Sequence, residues 1–259
     1  MASPLERYDA FLIDLDGVLY RGERPIPGAP DAVAAIRAAG RGIGFMTNNS
    51  ARTPDDVAGR LRGMGIPAAT PEVATSAAPT ARMLAERGCR SAFVVGEEGI
   101  RQALTDAGIE VREGNAAEVD AVVVGLDRAA DYTALRHASV LVDRGAAFVG
   151  TNADASFPVA DGVRWPGAGA LIAVIATTTG AVAEIVGKPN APLFLDARER
   201  AGGGVPLVIG DRLDTDIAGA AALGWDSLLV LTGISRREDL DRSAVRPTLV
   251  SEDLSILTR

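Results

Sequence analysis

Short apolar runs alternate along this chain with segments whose apolar residues recur at helical spacing. Phe11-Leu12-Ile13 reads as a strand that ends in an acidic, glycine-containing turn. Gly28 to Ala39 reads as a helix with Val33 and Ile36 on one face, and Ile43 to Met46 as the next strand. Thr53-Pro54-Asp55-Asp56 is a helix start, with a hydroxyl cap, proline at the first helical position and acids in the first turn. Val57, Leu61 and Met64 then share a stripe. The same grammar returns at Ala92–Gly96, Asp120–Gly125 and Ala147–Gly150. It returns again at Glu184–Val186, Pro206–Ile209, Ser227–Leu231 and Thr248–Val250. Continuously apolar strands separated by helices predict an α/β protein with a parallel sheet covered on both faces.

There are more strand–helix units than one five- or six-stranded sheet needs. An inserted second domain between Gly96 and Gly187 accounts for the surplus, although no glycine/serine linker marks its edges. Gly150 to Gly169 reads as a long loop, and loops of that length are more often functional than idle.

Composition removes several functions. With 26 basic and 34 acidic residues the chain carries a net charge of −8, which argues against nucleic acid as a partner. Aromatic residues make up 4%, too few for a base-stacking platform. One cysteine, Cys89, excludes an internal disulfide framework and thiolate metal clusters and suits a reducing, cytoplasmic setting. One histidine, His137, argues against zinc sites and Ser-His-Asp chemistry. The N-terminal residues do not read as a signal peptide, and the most apolar run, Ala168 to Ala176, is too short to span a bilayer.

Four segments carry chemistry. In Asp14-Leu15-Asp16-Gly17-Val18-Leu19-Tyr20 two carboxylates follow a buried strand, and residues two apart in an extended chain point the same way. Such a pair suits a nucleophile with an acid/base partner, or a metal. Phe45-Met46-Thr47-Asn48-Asn49-Ser50 places a hydroxyl and amides, donors for an anion, at another strand end. Val186-Gly187-Lys188-Pro189-Asn190 brings a lysine, rare here because most of the 26 basic residues are arginine, ahead of a helix. Gly210-Asp211-Arg212-Leu213-Asp214-Thr215-Asp216 clusters carboxylate oxygens of the kind Mg²⁺ takes.

In this order the four segments resemble the haloacid dehalogenase superfamily of phosphohydrolases, and most closely its NagD-like, p-nitrophenyl phosphatase-like subfamily (class IIA). Thr75-Ser76-Ala77, Val122 to Asp127, Asn152-Ala153-Asp154, Pro166–Gly169 and Leu231-Thr232-Gly233 share the likeness. The resemblance implies a Rossmann-like core over residues 1–96 and 183–259, with an α/β cap over 97–182. It implies a Mg²⁺-dependent phosphomonoester hydrolase of small phosphorylated metabolites, working through an aspartyl-phosphate. Asp14 is then the nucleophile and Asp16 the acid/base. Mg²⁺ is held by the side chains of Asp14 and Asp211 and the carbonyl of Asp16, with Asp216 behind it. Thr47, Asn48, Asn49 and Lys188 bind the phosphoryl group. Phe157 and Arg164, in the cap loop, are the candidates for substrate selectivity. The substrate stays open among glycerol 3-phosphate, phosphoglycolate, sugar phosphates and nucleotide monophosphates. A phosphomutase and a non-catalytic phosphate sensor remain alternatives. No nucleic acid or membrane is implied as a partner, and a homodimer through the cap is left open.

Overall fold

The computed structural model describes residues 3–158 and 163–258. The chain divides into two compact units. The first comprises Met1–Thr47, Pro54–Ala74 and Lys188–Arg259, and the second Asn48–Thr53 and Thr75–Gly187.

The first unit is built on a six-stranded sheet. Its order is Leu249–Ser251, Asp226–Val230, Pro206–Gly210, Ala10–Asp14, Gly42–Thr47 and Val73–Thr75. Ala10–Asp14 pairs in parallel with strands on both sides, Ile13 lying opposite Ile209 and Phe45. Every residue of Ala10–Asp14 and of Pro206–Gly210 is buried. Alternate side chains enter opposite layers. Phe11 and Ile13 join Val33, Ile36 and Leu61 on one face, while Ala10 and Leu12 join Leu193, Phe194 and Ala197 on the other. That is why these strands read as unbroken apolar runs rather than as alternation.

Gly42 and Gly44 have a packing role. A Cβ on Gly44 would lie 2.4 Å from the carbonyl oxygen of Ala197, and one on Gly42 would lie 1.8 Å from that of Ala201. The helix Ala191–Arg200 therefore rests directly on the strand backbone.

The second unit holds a five-stranded sheet, ordered Glu184–Ile185, Ala147–Gly150, Ala121–Val124, Ser91–Val95 and Glu110–Arg112, with parallel pairings throughout. The helices Ala77–Glu86 and Glu98–Asp106 bury their apolar stripes with Ala92, Val94 and Val123. Tyr132–Asp143 and Ala168–Thr179 do the same with Phe93, Val95, Val122 and Val124.

The domain edges differ from the sequence reading, which placed residues 48–53, 75–96 and 183–187 with the first unit. Ser91–Val95 is hydrogen-bonded into the second sheet between Ala121–Val124 and Glu110–Arg112, and Glu184–Ile185 pairs with Ala147–Gly150. The last core strand before the insertion is Val73–Thr75, three residues long, too short for a hydrophobic pattern to register. The expected loop from Gly150 to Gly169 also holds structure. Ser156–Pro158 pairs antiparallel with Arg164–Pro166, and the intervening residues 159–162 lie outside the described residues.

Candidate active site

Along the first sheet the chain steps outward from Ala10–Asp14 in one direction through Gly42–Thr47, and in the other through Pro206–Gly210. An open parallel sheet leaves a crevice at such a reversal, beyond the carboxyl ends of its strands. Asp14 ends the central strand, Asp211 follows Pro206–Gly210 and Thr47 ends Gly42–Thr47. Topology thus gathers three of the four chemical segments at one edge. The fourth arrives with Lys188, ahead of the helix Ala191–Arg200, for which Asn190 is the N-cap residue.

Carboxylate oxygens of Asp14, Asp211 and Asp216 all lie within 4.8 Å of one another, and all three residues are buried. Lys188, the only lysine of the chain, is buried among them. Its Nζ donates to Asp14 Oδ1 and, at 2.7 Å, to Asp216 Oδ1. Asp216 sits in a π-helical turn, Leu213–Ile217, of the kind found frequently at functional sites. That turn brings it back over Gly210, where a Cβ would lie 2.2 Å from its own Cβ. Its Oδ2 accepts from the Arg212 N–H at 3.2 Å. Asp211 Oδ2 accepts from the Ile234 N–H at 2.6 Å.

The electrostatics follow from crowding. Three carboxylates facing one ammonium leave a surplus of two negative charges in a buried place. Burial, reinforced by Asp216 and Asp211 and opposed by Lys188, holds Asp14 well above the usual carboxylate range. Burial and then Asp216 push Asp211 up to about 6. Burial alone would lower the Lys188 ammonium, but Asp14 and Asp216 outweigh it and raise it. This donor set fits a divalent cation, which would cancel the surplus through hard oxygen ligands.

Asp16 lies outside this cluster. Its side chain reaches solvent, while the surrounding protein still raises its pKa by desolvation, against the opposing pull of Arg60 and of the Tyr20 hydroxyl. Asn48 and Asn49 fall in the second unit. There Asn48 Nδ2 donates to Asp154 Oδ2 at 3.2 Å, and the Asn48 carbonyl accepts from Ser76 Oγ and Asn152 Nδ2. Asn49 Oδ1 accepts from the Ala51 N–H at 2.8 Å, an Asx-type turn. Phe157 lies edge-on to Trp165 across the antiparallel pair, and Arg164 is exposed.

Sequence reasoning gave no role to three residues that shape the site. Gly233 and Ile234 hold the outer oxygen of Asp211, and only the Leu231-Thr232-Gly233 strand end hints at them. Arg60 stacks over Tyr20 from a helix whose pattern shows an ordinary amphipathic surface.

Comparison with known proteins agrees with this geometry. Residues 11–110 match the haloacid dehalogenase-like hydrolase family, and residues 185–257 match a second, HAD-hydrolase-like family. The acid sugar phosphatase of Staphylococcus aureus is 37% identical over 254 residues, covering 97% of each chain. The glycerol phosphate phosphatase Rv1692 of Mycobacterium tuberculosis, in complex with magnesium, superposes with a TM-score of 0.94 at 35% identity. That match covers 99% of this chain and 78% of the other. NagD from E. coli K-12 superposes with a TM-score of 0.87 at 29% identity, covering 95% and 97%. Among the described residues no helix is long and apolar enough to cross a membrane. The chain belongs to the haloacid dehalogenase-like hydrolases, within their NagD-like phosphatase branch.

Proposed function

We propose that the protein is a Mg²⁺-dependent phosphomonoesterase that acts on small phosphorylated metabolites, with sugar phosphates and glycerol phosphate foremost, through an aspartyl-phosphate on Asp14. The carrying observation is the buried triad of Asp14, Asp211 and Asp216 closed on Lys188. The names and the bound magnesium of the similar proteins support the same reading.

The side chains of Asp14 and Asp211 and the carbonyl of Asp16 would hold Mg²⁺, with Asp216 behind them. When bound, the cation supplies the positive charge that keeps Asp14 ionised and favours a phosphoryl dianion. At 4 Å one pair of unit charges is worth about 4 kcal/mol at an effective dielectric of 20, so uncompensated aspartates would repel the substrate by that order. Lys188 reaches the phosphoryl oxygens from the nucleophile's side. Thr47 and the amide of Asn48, next along the chain, complete their binding. The nucleophilic oxygen of Asp14 attacks phosphorus and the bond to the leaving oxygen breaks. Asp16 gives its proton to that oxygen. Asp16 then takes a proton from water, whose oxygen attacks phosphorus. The bond to Asp14 breaks and inorganic phosphate leaves. Selectivity in this reading belongs to the loop bearing Phe157 and Arg164.

Release of inorganic phosphate from p-nitrophenyl phosphate and a panel of phosphomonoesters, in Mg²⁺ and in EDTA, tests the proposal. Activity is expected only with the cation, and Asp14→Asn is expected to abolish it. Full activity in Asp14→Asn, verified by mass to be free of deamidation, would overturn the nucleophile. A requirement for a sugar bisphosphate activator would make the protein a phosphomutase.

A further inference from the structure

We propose that Asn152 and Ser76 are positioning residues that fix the backbone of Asn48, and through it the grip on the phosphoryl group, an inference that rests on the function proposed above. Thr47 and Lys188 were both given to the phosphoryl oxygens there. Thr47 ends one stretch of the first unit and Lys188 begins another, and their chain neighbours, Asn48 and Gly187, both belong to the second.

Inside the second unit those two neighbours meet. A Cβ on Gly187 would lie 2.6 Å from Asn48 Oδ1 and 3.2 Å from Asn152 Cβ. The Gly187 N–H donates to the Thr151 carbonyl at 2.9 Å. The next residue, Asn152, donates through Nδ2 to the Asn48 carbonyl at 2.8 Å. Thr151 and Asn152 thus hold both neighbours at once. Ser76 Oγ donates to the same Asn48 carbonyl at 2.7 Å, so both acceptor positions of that oxygen are filled.

The arrangement is directional. Asn152 Oδ1 accepts from the Asp154 N–H at 3.1 Å, so a reversed amide would set oxygen against the Asn48 carbonyl and NH₂ against an N–H. Asp154 Oδ2 in turn accepts from Asn48 Nδ2 at 3.2 Å. Ser50 Oγ and Thr151 Oγ1 share a hydrogen bond at 2.9 Å, which ties the same two segments together once more. Asn152 and Ser76 are both buried. A carbonyl that loses a partner in such a place bears the cost of its own desolvation. Held from two sides through a planar peptide, Asn48 has little freedom to turn. Donors fixed before the ligand arrives need no reorganisation when the charge appears, which is where backbone N–H groups gain most on phosphoryl oxygens.

The test uses Ser76→Ala, which removes only the hydroxyl, and Asn152→Ser, which keeps a side-chain oxygen for the Asp154 N–H but is too short to reach the Asn48 carbonyl. The inhibition constant of inorganic phosphate against p-nitrophenyl phosphate is measured at saturating Mg²⁺. Calorimetry without phosphate gives the Mg²⁺ affinity, and melting temperature reports the fold. Inorganic phosphate is expected to bind about tenfold more weakly to Asn152→Ser and about threefold more weakly to Ser76→Ala, the range that one hydrogen bond is worth. Mg²⁺ affinity is expected to stay at the wild-type value. A purely structural role would lower the melting temperature and leave phosphate inhibition alone. Wild-type inhibition in the folded variants, or equal losses for phosphate and Mg²⁺, would overturn the inference, and Ser76→Ala alone decides it if Asn152→Ser fails to fold. Wild-type protein that releases phosphate from no phosphomonoester would overturn the proposed function instead, and this inference with it.

Discussion

A side-chain carbon on Gly233 would sit 1.8 Å from Oδ2 of Asp211. The loop after the strand Asp226–Val230 therefore has room for this carboxylate only because residue 233 has no Cβ, and the next N–H, from Ile234, completes its hold. Gly233→Ala is expected to turn Asp211 out of the triad. Groups that orient a metal ligand typically contribute 10–100-fold in metal affinity or activity, so a loss of about that size is expected in apparent Mg²⁺ affinity. The check is a Mg²⁺ titration of phosphate release alongside a circular-dichroism spectrum matching wild type.

Lys188 is the charge on which the metal-free triad depends. Removing one partner of a buried ion pair costs about 3–5 kcal/mol, because the remaining charges stay buried and uncompensated. Lys188→Met is expected to lower stability in EDTA by that order, and Mg²⁺ is expected to restore part of it. Urea denaturation with and without the cation measures both effects.

Asp211 makes the metal-free protein pH-sensitive in an unusual direction. Its folded pKa is raised to about 6, above the unfolded value near 4, so the folded state holds the proton more tightly. The stabilisation from this group is complete below about pH 4 and is lost as pH rises to about 6, by roughly 3 kcal/mol. In EDTA, wild type should lose stability relative to Asp211→Asn across that window. With Mg²⁺, which competes with the proton, the difference should shrink. Melting temperatures of both proteins from pH 4 to 7 decide it.

Asp16→Asn separates acid/base work from metal binding. The proposed metal contact at residue 16 is its carbonyl, which the substitution leaves in place. The kcat for an alkyl phosphate is expected to fall by about 10²–10⁴, the range of general acid–base contributions. Mg²⁺ binding by calorimetry is expected to stay at the wild-type value. Loss of binding would move the side chain into the metal's coordination.

Gly44→Ala probes the fold alone. Its Cβ would press on the Ala197 carbonyl, a backbone atom that cannot rotate away. Overpacking of this kind costs about 1–3 kcal/mol. Chemical denaturation should show that loss with Mg²⁺ affinity unchanged.

Much of this was legible in the linear order. Apolar runs at Phe11-Leu12-Ile13, Pro206–Ile209 and Ser227–Leu231 announce buried parallel strands, because strands covered on both faces leave no polar alternation. Asp14, Lys188 and Asp211 were identifiable because each follows such a run, and chemistry in open α/β sheets gathers at strand ends. The insertion's edge was misplaced for the opposite reason. Val73–Thr75 is held as a strand by its sheet neighbour, and three residues carry no period of their own.

What the amino-acid order determined by itself was the set of elements and the residue types waiting at their ends, since both depend on neighbours along the chain. Tertiary structure alone decided which of those groups meet. The meeting of Asp14, Lys188, Asp211 and Asp216, the fit of Gly233 against Asp211 and the stack of Arg60 on Tyr20 all join residues far apart in the chain. Local propensity and periodicity carry no record of such distances; packing of the sheet and its helices sets them.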